Sequence, residues 1–448
     1  MKRLILYEGP VGTMSGYGKH SKDLVKCLIE QCGDESDILI VPTNWGNTPH
    51  TNLDPIKDYD ITSRLLTNPQ LQRQPDLYIQ VTIPTEFKRV GKKNIGITAG
   101  IETDTVSPQF IEGANLMDLI IVPSHHAKLG FLNSKWSKQD DRTGQQIGNV
   151  EMKAKIEVLF EGVDFDIFKK LDKDENIINL NEIDNIPEDF LFLYVGHWLN
   201  GKLGEDRKDV GMLIKTFFET FKDKEIQPAL VLKTSSAGTS MMDRYNILDK
   251  IKAIALTISG KLPNVYLLHG ELTDVEMNAL YNHKKIKTMV SFTHGEGWSR
   301  CFSEFIPSGK PLIVSNWSGH LDFLIPNGCV LLNGTIKPIG ASAIWQNILI
   351  KESNWFYVDY EYAKNKMIQM FEHYSRYTAM AKEQVKYIKK FSLKDMGIKF
   401  KKIIDSTLSG VPMEPDFIDP STLNLPTPEE IIPVLETEKI TLPKLTLT

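Results

Sequence analysis

Residues 288–315 read TMVSFTHGEGWSRCFSEFIPSGKPLIVS, and this stretch decides the fold class. Its apolar start predicts a strand over Thr288–Phe292, and a Gly-Glu-Gly loop follows that strand. A helix is predicted over Arg300–Ser308, because a proline and a glycine then end the helical pattern. A second apolar strand is predicted over Pro311–Ser315. A strand, a helix and a second strand in succession are typical of a sheet with parallel strands.

The same alternation runs through most of the chain, in two series. The other predicted strands are Leu4–Tyr7, Ile38–Val41, Leu77–Val81, Asn94–Thr98, Leu119–Val122 and Ile156–Leu159, then Phe190–Val195, Ala229–Lys233, Val265–Leu268 and Val330–Leu332. The other predicted helices are Gly18–Gln31, His125–Leu132, Val210–Phe221, Met241–Ile258, Asp274–Tyr281 and Tyr360–Lys390. The pattern restarts after a polar stretch near Phe168–Glu188, which is rich in Asp, Glu and Asn and is predicted to be a linker. We therefore predict an α/β protein with two facing Rossmann-like, doubly wound domains and an interdomain cleft at the carboxyl ends of their strands.

Composition sets the broad class. The chain has 448 residues, of which 41% are hydrophobic and 24% charged, so it is long enough for two or three packed domains and is not disordered throughout. The 52 basic and 57 acidic side chains give a net charge of −5, which disfavours a globally basic nucleic-acid binder. Residues 411–448 hold seven carboxylates, two lysines and seven prolines. This composition predicts an extended tail or a strap for a partner.

The cysteines and the N-terminus exclude other classes. Cys27 and Cys32 are five residues apart, with no second pair or histidine cluster at ligand spacing, so no metal site is predicted. The apolar run in MKRLILYEGP is about five residues long, too short for a signal peptide. No window approaches the roughly 20 apolar residues of a membrane span. We expect a soluble, cytoplasmic protein.

A glycine-rich loop follows the first strand. Residues 9–18 read GPVGTMSGYG and come directly before a helix. Gly12, Gly16 and Gly18 would let the backbone approach a ligand at the helix N-terminus, where free N–H groups attract anions. The spacing is not a clean G-x-G-x-x-G, and a loop without function is the alternative.

Two adjacent cations follow the first strand of the second series. Arg207 and Lys208 lie in a loop between strand and helix, a place that suits a diphosphate. Lys233, at the end of the next strand, is a third candidate cation. A solvated basic turn is the alternative.

Two carboxylates flank the start of the helix in the deciding stretch. Glu296 lies in the loop and Glu304 on the helix, eight residues further on. Both can therefore point into one pocket, and the N–H groups of Gly297, Trp298 and Ser299 between them can hold a phosphate or a sugar. A carboxylate on this helix can bind a ribose diol. Two solvated glutamates are the alternative.

Residues 1–405 resemble, in order, the retaining glycosyltransferases of the GT-B fold in the broad family 4 (group 1). Glu296 and Glu304 match the E-x7-E motif, and residues 309–315 (GKPLIVS) match the strand that follows it. Further matches are GVD at 162–164, IETD at 101–104, VPS at 122–124 and the segment from Pro263 to Tyr281, which includes Gly270 and is similar to the lining of the base pocket.

The resemblance implies transfer of a hexosyl or related group from a nucleoside diphosphate sugar, with retention and without a bound metal. It assigns the donor sugar hydroxyls to Glu296 and the ribose to Glu304. Arg207 and Lys208 would neutralise the leaving diphosphate. The Gly12–Gly18 loop would approach the diphosphate from the other domain.

The chain departs from the family pattern at three places. His197 stands where members often have Arg, Glu102 substitutes for a frequent His, and Trp298 is bulkier than the usual Phe. We predict catalytic roles for Glu102, Glu296, Arg207 and Lys208, and donor contacts for the remaining candidates. These are Gly12, Gly16, Gly18, His197, Lys233, Gly270, Gly297, Trp298, Ser299 and Glu304.

The resemblance also suggests domain boundaries. These are an acceptor-side domain at 1–170, a nucleotide-sugar domain at 171–385, a helix returning to the first domain at 386–410 and a tail at 411–448. The acceptor stays open: a glycan, a lipid, a small molecule or a modified base in DNA. A nucleotide-sugar-binding protein without turnover, an epimerase and a phosphorylase on the same fold are further alternatives.

Overall fold

The computed structural model describes residues 2–66, 70–140, 142–143, 145–172, 178, 180–199, 201–236 and 238–411. The tail predicted at 411–448 lies outside the described residues, apart from Val411. Among the residues that are described, no helix is both long and apolar enough to cross a bilayer.

The N-terminal lobe is built on a parallel sheet with the order β2-β1-β3-β4-β5-β8. Its strands are β1 (Arg3–Gly9), β2 (Ser36–Pro42), β3 (Leu77–Val81), β4 (Lys93–Ile97), β5 (Leu119–Val122) and β8 (Lys155–Val158), and a separate hairpin pairs β6 (Trp136–Gln139) with β7 (Gln146–Val150). Its helices are α1 (Gly16–Cys32), α2 (Tyr59–Thr62), α3 (Pro108–Ala114) and α4 (His125–Asn133). Strands buried on both faces explain the continuous apolar runs in the sequence.

The C-terminal lobe repeats the plan, with the order β11-β10-β9-β12-β13-β14. Its strands are β9 (Leu191–Val195), β10 (Ala229–Lys233), β11 (Val265–Leu268), β12 (Ile286–Val290), β13 (Leu312–Ser315) and β14 (Val330–Leu332), and a hairpin pairs β15 (Gly334–Pro338) with β16 (Asn354–Val358). Its helices are α5 (Asn181–Asp184), α6 (Val210–Phe221), α7 (Met241–Ala255), α8 (Asp274–Asn282), α9 (Arg300–Phe305), α10 (Tyr360–Glu372) and α11 (Tyr374–Ile388). The predicted fold class is confirmed: the two sheets form two Rossmann-like lobes.

The last helix, α12 (Leu393–Ser409), packs on the N-terminal lobe. Met396, Phe400 and Ile403 are buried in the same core as Ile5 and Leu24, on the face of the sheet that α1 covers. The chain therefore returns from the second lobe to the first.

One predicted helix is wrong. The sequence predicts a single helix over Tyr360–Lys390, but the helical geometry is interrupted at His373, where φ is −125° and ψ is 38°. No glycine or proline marks this position, so the apolar pattern runs through it. The stretch near Phe168–Glu188 is also more than a linker, because Phe168, Leu180 and Ile183 are buried in the core of the C-terminal lobe.

Candidate functional site

The candidate site lies at the carboxyl ends of β9 and β12, which are neighbours at the centre of the second sheet. The chain leaves β9 toward one edge of the sheet and β12 toward the other. Such a switch point leaves a crevice between the two outgoing loops, where open α/β sheets bind ligands. The loop after β9 carries Arg207 and Lys208, and the loop after β12 carries Glu296.

The cation pair, Arg207 and Lys208, converges on Glu296. The Lys208 ammonium donates to Glu296 Oε1, and Arg207 Nη1 lies 3.2 Å from Glu296 Oε2. Thr293 Oγ1 donates to Glu296 Oε1 at 2.7 Å. Burial alone would raise the pKa of Glu296, but the charges of Lys208 and Arg207 outweigh it and hold the pKa at about 2. Glu296 is therefore ionised at any physiological pH.

The N-terminal lobe adds a fourth charged side chain to Arg207, Lys208 and Glu296. Glu102, in the loop after β4, places Oε1 at 3.6 Å from Arg207 Nε. Tyr17 of α1 fixes that loop, because its hydroxyl oxygen accepts hydrogen bonds from the N–H groups of Ala99 and Gly100, each at 2.9 Å. Four of the predicted residues thus come together: Glu102, Arg207, Lys208 and Glu296.

The contact between the two lobes requires the glycines on either side of Glu296, Gly295 and Gly297. A Cβ on Gly297 would lie 1.8 Å from the carbonyl oxygen of Ala99, and one on Gly295 would lie 1.9 Å from that of Glu102. Backbone from the two lobes is in direct contact here, so no larger residue fits at either position.

Two strained serines hold the Glu296 loop. Ser299, just before α9, has φ 82°, and Ser318, after β13, has φ 83°. Positive φ is costly for residues with a side chain. The Ser318 hydroxyl accepts a hydrogen bond from the Glu296 N–H at 2.9 Å, so the strained residue contacts the site directly.

Glu304 lies in a separate buried group, the Arg300 cluster, defined as Arg300, Asp23, Glu161 and Glu304. Arg300 Nη2 is 2.8 Å from Asp23 Oδ2 of α1, Nε is 3.2 Å from Glu304 Oε1, and Nη1 is 3.6 Å from Glu161 Oε2. All three contacts are ion pairs, and Arg300 Nε and Nη1 have no hydrogen-bond partner. The Arg300 cluster joins the two lobes, and it includes Glu304, for which a ribose contact is predicted.

Two other predicted donor contacts, His197 and Lys233, lie near the carboxyl ends of β9 and β10. His197 Nδ1 is 3.2 Å from Ser235 Oγ, and the surrounding protein atoms together with the Lys208 charge lower the pKa of His197. Lys233 donates to the carbonyl oxygen of Gly270 at 2.6 Å, and burial lowers its pKa to about 8. Gly270 has φ 111°, which explains the glycine.

The glycine-rich loop leads into α1 as predicted. Ser15 caps the helix by accepting from the Gly18 N–H at 2.9 Å. A Cβ on Gly18 would lie 1.9 Å from the carbonyl oxygen of Thr13, whereas Gly16 has open space and a Cβ on Gly12 would lie 3.6 Å from His50 Nδ1. Gly18 is therefore needed for packing, while Gly12 and Gly16 leave room beside the loop.

Trp298 lies inside the hydrophobic core. It is 2% exposed, and its ring centroid is 4.6 Å from that of Phe323 and 5.6 Å from that of Phe391. The adjacent polar loop suggested a ring facing a ligand, but the indole packs beneath the loop instead. Its backbone remains part of the loop between Glu296 and α9.

Sequence reasoning missed four side chains that build the site: Tyr17, Thr293, Arg300 and Ser318. The partners of Tyr17, and the Asp23 and Glu161 partners of Arg300, are far away in sequence and left no spacing signal. Glu304 lies four residues after Arg300, and this helical spacing could have indicated that pair. Within the described ranges, no group of three or more His, Cys, Asp or Glu side chains could hold a metal ion.

Comparison of the chain with known proteins supports the fold. No family model matches the sequence, and no curated protein matches it. Among solved structures, sucrose-phosphate synthase from Thermosynechococcus elongatus is 12% identical with a TM-score of 0.59, covering 91% of this chain and all of its own. The α,α-trehalose 6-phosphate synthase from Burkholderia multivorans is 12% identical with a TM-score of 0.57, covering 92% of this chain and all of its own.

HepE from Anabaena, crystallised with UDP-glucose, is a third similar structure. It is 12% identical with a TM-score of 0.53, over 90% of this chain and 99% of its own. These proteins have the GT-B fold, and the chain described here shares it.

Proposed function

We propose that this protein transfers a sugar from a nucleoside diphosphate sugar to a hydroxyl acceptor with retention of configuration. The observation that carries the proposal is the convergence of Arg207 and Lys208 on Glu296 at the switch point of the second sheet. Fixed cations beside a carboxylate, enclosed between two lobes, suit a donor with an anionic and a polyhydroxyl part.

The chemistry follows from the charges. When the bond from the anomeric carbon to the diphosphate breaks, negative charge develops on the leaving oxygens. Arg207 and Lys208 would stabilise that charge, helped by the N–H groups at the start of α1 beyond Gly12 and Gly16. Glu296 would then accept hydrogen bonds from the donor sugar hydroxyls, and Glu304 from the ribose.

The protein's own cations would neutralise the diphosphate, so we propose that turnover needs no bound metal. Activity should then persist in excess EDTA. HepE was crystallised with UDP-glucose, and for that reason UDP-sugars are the first donors to test, before GDP- and ADP-sugars.

The test is the release of nucleoside diphosphate from each donor, with and without hydroxyl acceptors, for the wild type and Glu296→Gln. We expect Glu296→Gln to lower the rate on the order of 10²-fold, because the variant loses the charge that holds Arg207 and Lys208 in place. Glu361→Gln is the matched control, because Glu361 is 79% exposed on the surface of α10. Turnover that Glu296→Gln leaves unchanged would contradict the proposal. The anomeric configuration of the product, read by NMR, tests retention.

The acceptor arms of the assay are glycans, lipids, small hydroxyl compounds and DNA with a hydroxylated base. Transfer to DNA, with salt-sensitive binding, would identify a DNA-modifying enzyme. Donor binding without release or transfer in any arm would identify a nucleotide-sugar-binding protein.

A further inference from the structure

His294 lies two residues before Glu296, and its polar atoms are all turned inward. The side chain is fully buried. Its N–H donates to the carbonyl oxygen of Arg207 at 2.8 Å, and its own carbonyl oxygen accepts from the Phe356 N–H at 3.0 Å. The ring nitrogens face two more carbonyl oxygens: Nδ1 is 2.7 Å from Phe356 O and Nε2 is 3.2 Å from Gly204 O. The His294 side chain is therefore closed off from the crevice, yet it contacts the loops on both sides of the site.

The partner of His294 is the hairpin segment, residues 333–358, which contains β15 and β16 and belongs to neither six-stranded sheet. The His294 ring stacks on Trp355 with centroids 4.8 Å apart, and it lies 4.5 Å from the Tyr357 ring. Because Trp355 is fully buried, the hairpin segment offers a rigid surface to this ring.

The hairpin segment also reaches the loop of the cation pair. The Ser342 N–H donates to Glu205 Oε2 at 3.0 Å, and the Lys202 N–H donates to Ser342 Oγ at 2.8 Å. Tyr360, which begins α10 after the segment, donates its hydroxyl to Asp209 Oδ2 at 2.7 Å. Residues on both sides of Arg207 and Lys208 are thus attached to the same support.

The same segment contacts the loop of Glu102 in the other lobe. Asn354 donates its backbone N–H to Asp104 Oδ1 at 2.8 Å and its side-chain amide to Asp104 Oδ2 at 2.9 Å. Ser107 Oγ donates to the carbonyl oxygen of Asn347 at 2.7 Å. The loops that carry Glu296, the cation pair and Glu102 are therefore all hydrogen-bonded to the hairpin segment or to Tyr360, which follows it.

We propose that His294 is a positioning residue, which fixes Glu296 relative to Arg207 and Lys208 by fastening their loops to the hairpin segment. A neutral imidazole has one N–H, and we assign it to Nδ1 because the contact with Phe356 O is the shorter one. An error of about 1 Å in such a site can cost on the order of 10²-fold in rate. The proposal rests on the proposed glycosyl transfer for its kinetic readout.

Two variants distinguish the contribution of the His294 hydrogen bond from that of its stacked ring. His294→Phe keeps a stacking ring and removes the donor, whereas His294→Asn retains a side-chain N–H near the position of Nδ1. We expect His294→Phe to lower kcat on the order of 10- to 100-fold with a smaller change in KM, and His294→Asn to restore much of kcat. His283→Asn is the control, because it removes a buried histidine whose Nε2 faces Asp184, away from the site.

Hydrogen exchange supplies a readout that does not depend on activity. The N–H groups of Glu205 and Asp209 bond within the loop of the cation pair, to Lys202 O and Asp206 O. Faster exchange in residues 202–209 of His294→Phe, but not of His283→Asn, is the expected result.

Unchanged exchange in that loop, or equal kcat in His294→Phe and wild type, would overturn the positioning role. A wild type without turnover, combined with faster loop exchange in His294→Phe, would instead reject the proposed function and leave the role of His294 in place.

Discussion

Replacing Arg300 with Met should destabilise the protein strongly at pH 8. The side chains of the Arg300 cluster are mostly buried: Arg300 and Asp23 are 17% exposed, Glu304 9% and Glu161 7%. Removing one partner of a buried ion pair typically costs about 3–5 kcal/mol, because the remaining charge is left without compensation. Here three carboxylates lose their common cation, so we expect a loss in the free energy of unfolding in the upper part of that range.

The loss should shrink as the pH falls. Burial raises the pKa values of Asp23, Glu161 and Glu304, and the Arg300 charge is the largest influence that lowers them. Without Arg300 these carboxyls would take up protons more readily, and a neutral carboxyl needs no cation. The difference between wild type and variant should therefore be smaller at pH 5.5 than at pH 8.

Urea unfolding followed by tryptophan fluorescence at the two pH values measures this effect. Arg376→Met, at an exposed position on α11, is the control and should change stability by about 0.5 kcal/mol or less. The double variant Arg300→Met with Asp23→Asn should regain part of the loss, since one buried charge is gone. A loss below about 1 kcal/mol at pH 8, or the same loss at both pH values, would refute this reasoning.

Three further predictions concern Glu161, Ser299 and Gly297. Burial raises the pKa of Glu161 from 4.5 to about 7, so the folded state binds an extra proton between these values and stability falls as pH rises through this window. Glu161→Gln should flatten the pH dependence of the melting temperature between these values. An unchanged slope would contradict this prediction. Ser299→Gly should stabilise by about 0.5–1 kcal/mol, since glycine tolerates φ 82°; a lower melting temperature would contradict the strain. Gly297→Ala should abolish turnover and destabilise the folded state by about 1–3 kcal/mol, because the added Cβ would clash with the carbonyl oxygen of Ala99. Gly148→Ala is the control and should do neither, because a Cβ at Gly148 has open space. An active Gly297→Ala variant would disprove the close contact.

The sheets could be predicted from the sequence because their strands are buried on both faces. Runs such as Leu119–Val122 and Val330–Leu332 are continuous and apolar, and the predicted bounds agree with the structure. The β15–β16 hairpin was missed, because a long connection separates short strands of which β15 is largely exposed. The supporting hairpin of the site is thus the part with the weakest sequence signal.

The charged groups of the site could be proposed from their positions after strands, whereas their pairing could not. Arg207, Lys208 and Glu296 follow strands that are neighbours in the sheet, so the topology brings them together. Arg300 shows the limit: its strongest partner, Asp23, is on a helix of the other lobe, and only the packing of the lobes reveals the contact. For the same reason the orientation of the Trp298 ring could not be predicted, because a ring facing a ligand and a ring packed in the core both fit the sequence pattern.

Donor binding, measured as thermal stabilisation by UDP-, GDP- and ADP-sugars, tests the central claim most directly. A ligand at 100 times its Kd stabilises the folded state by about 2.7 kcal/mol, which is easily seen as a rise in melting temperature. We predict that one nucleotide class stabilises the wild type and that Lys208→Met loses most of this effect. A folded protein that no nucleoside diphosphate sugar stabilises at millimolar concentration, or a Lys208→Met variant stabilised as much as the wild type, would contradict the account.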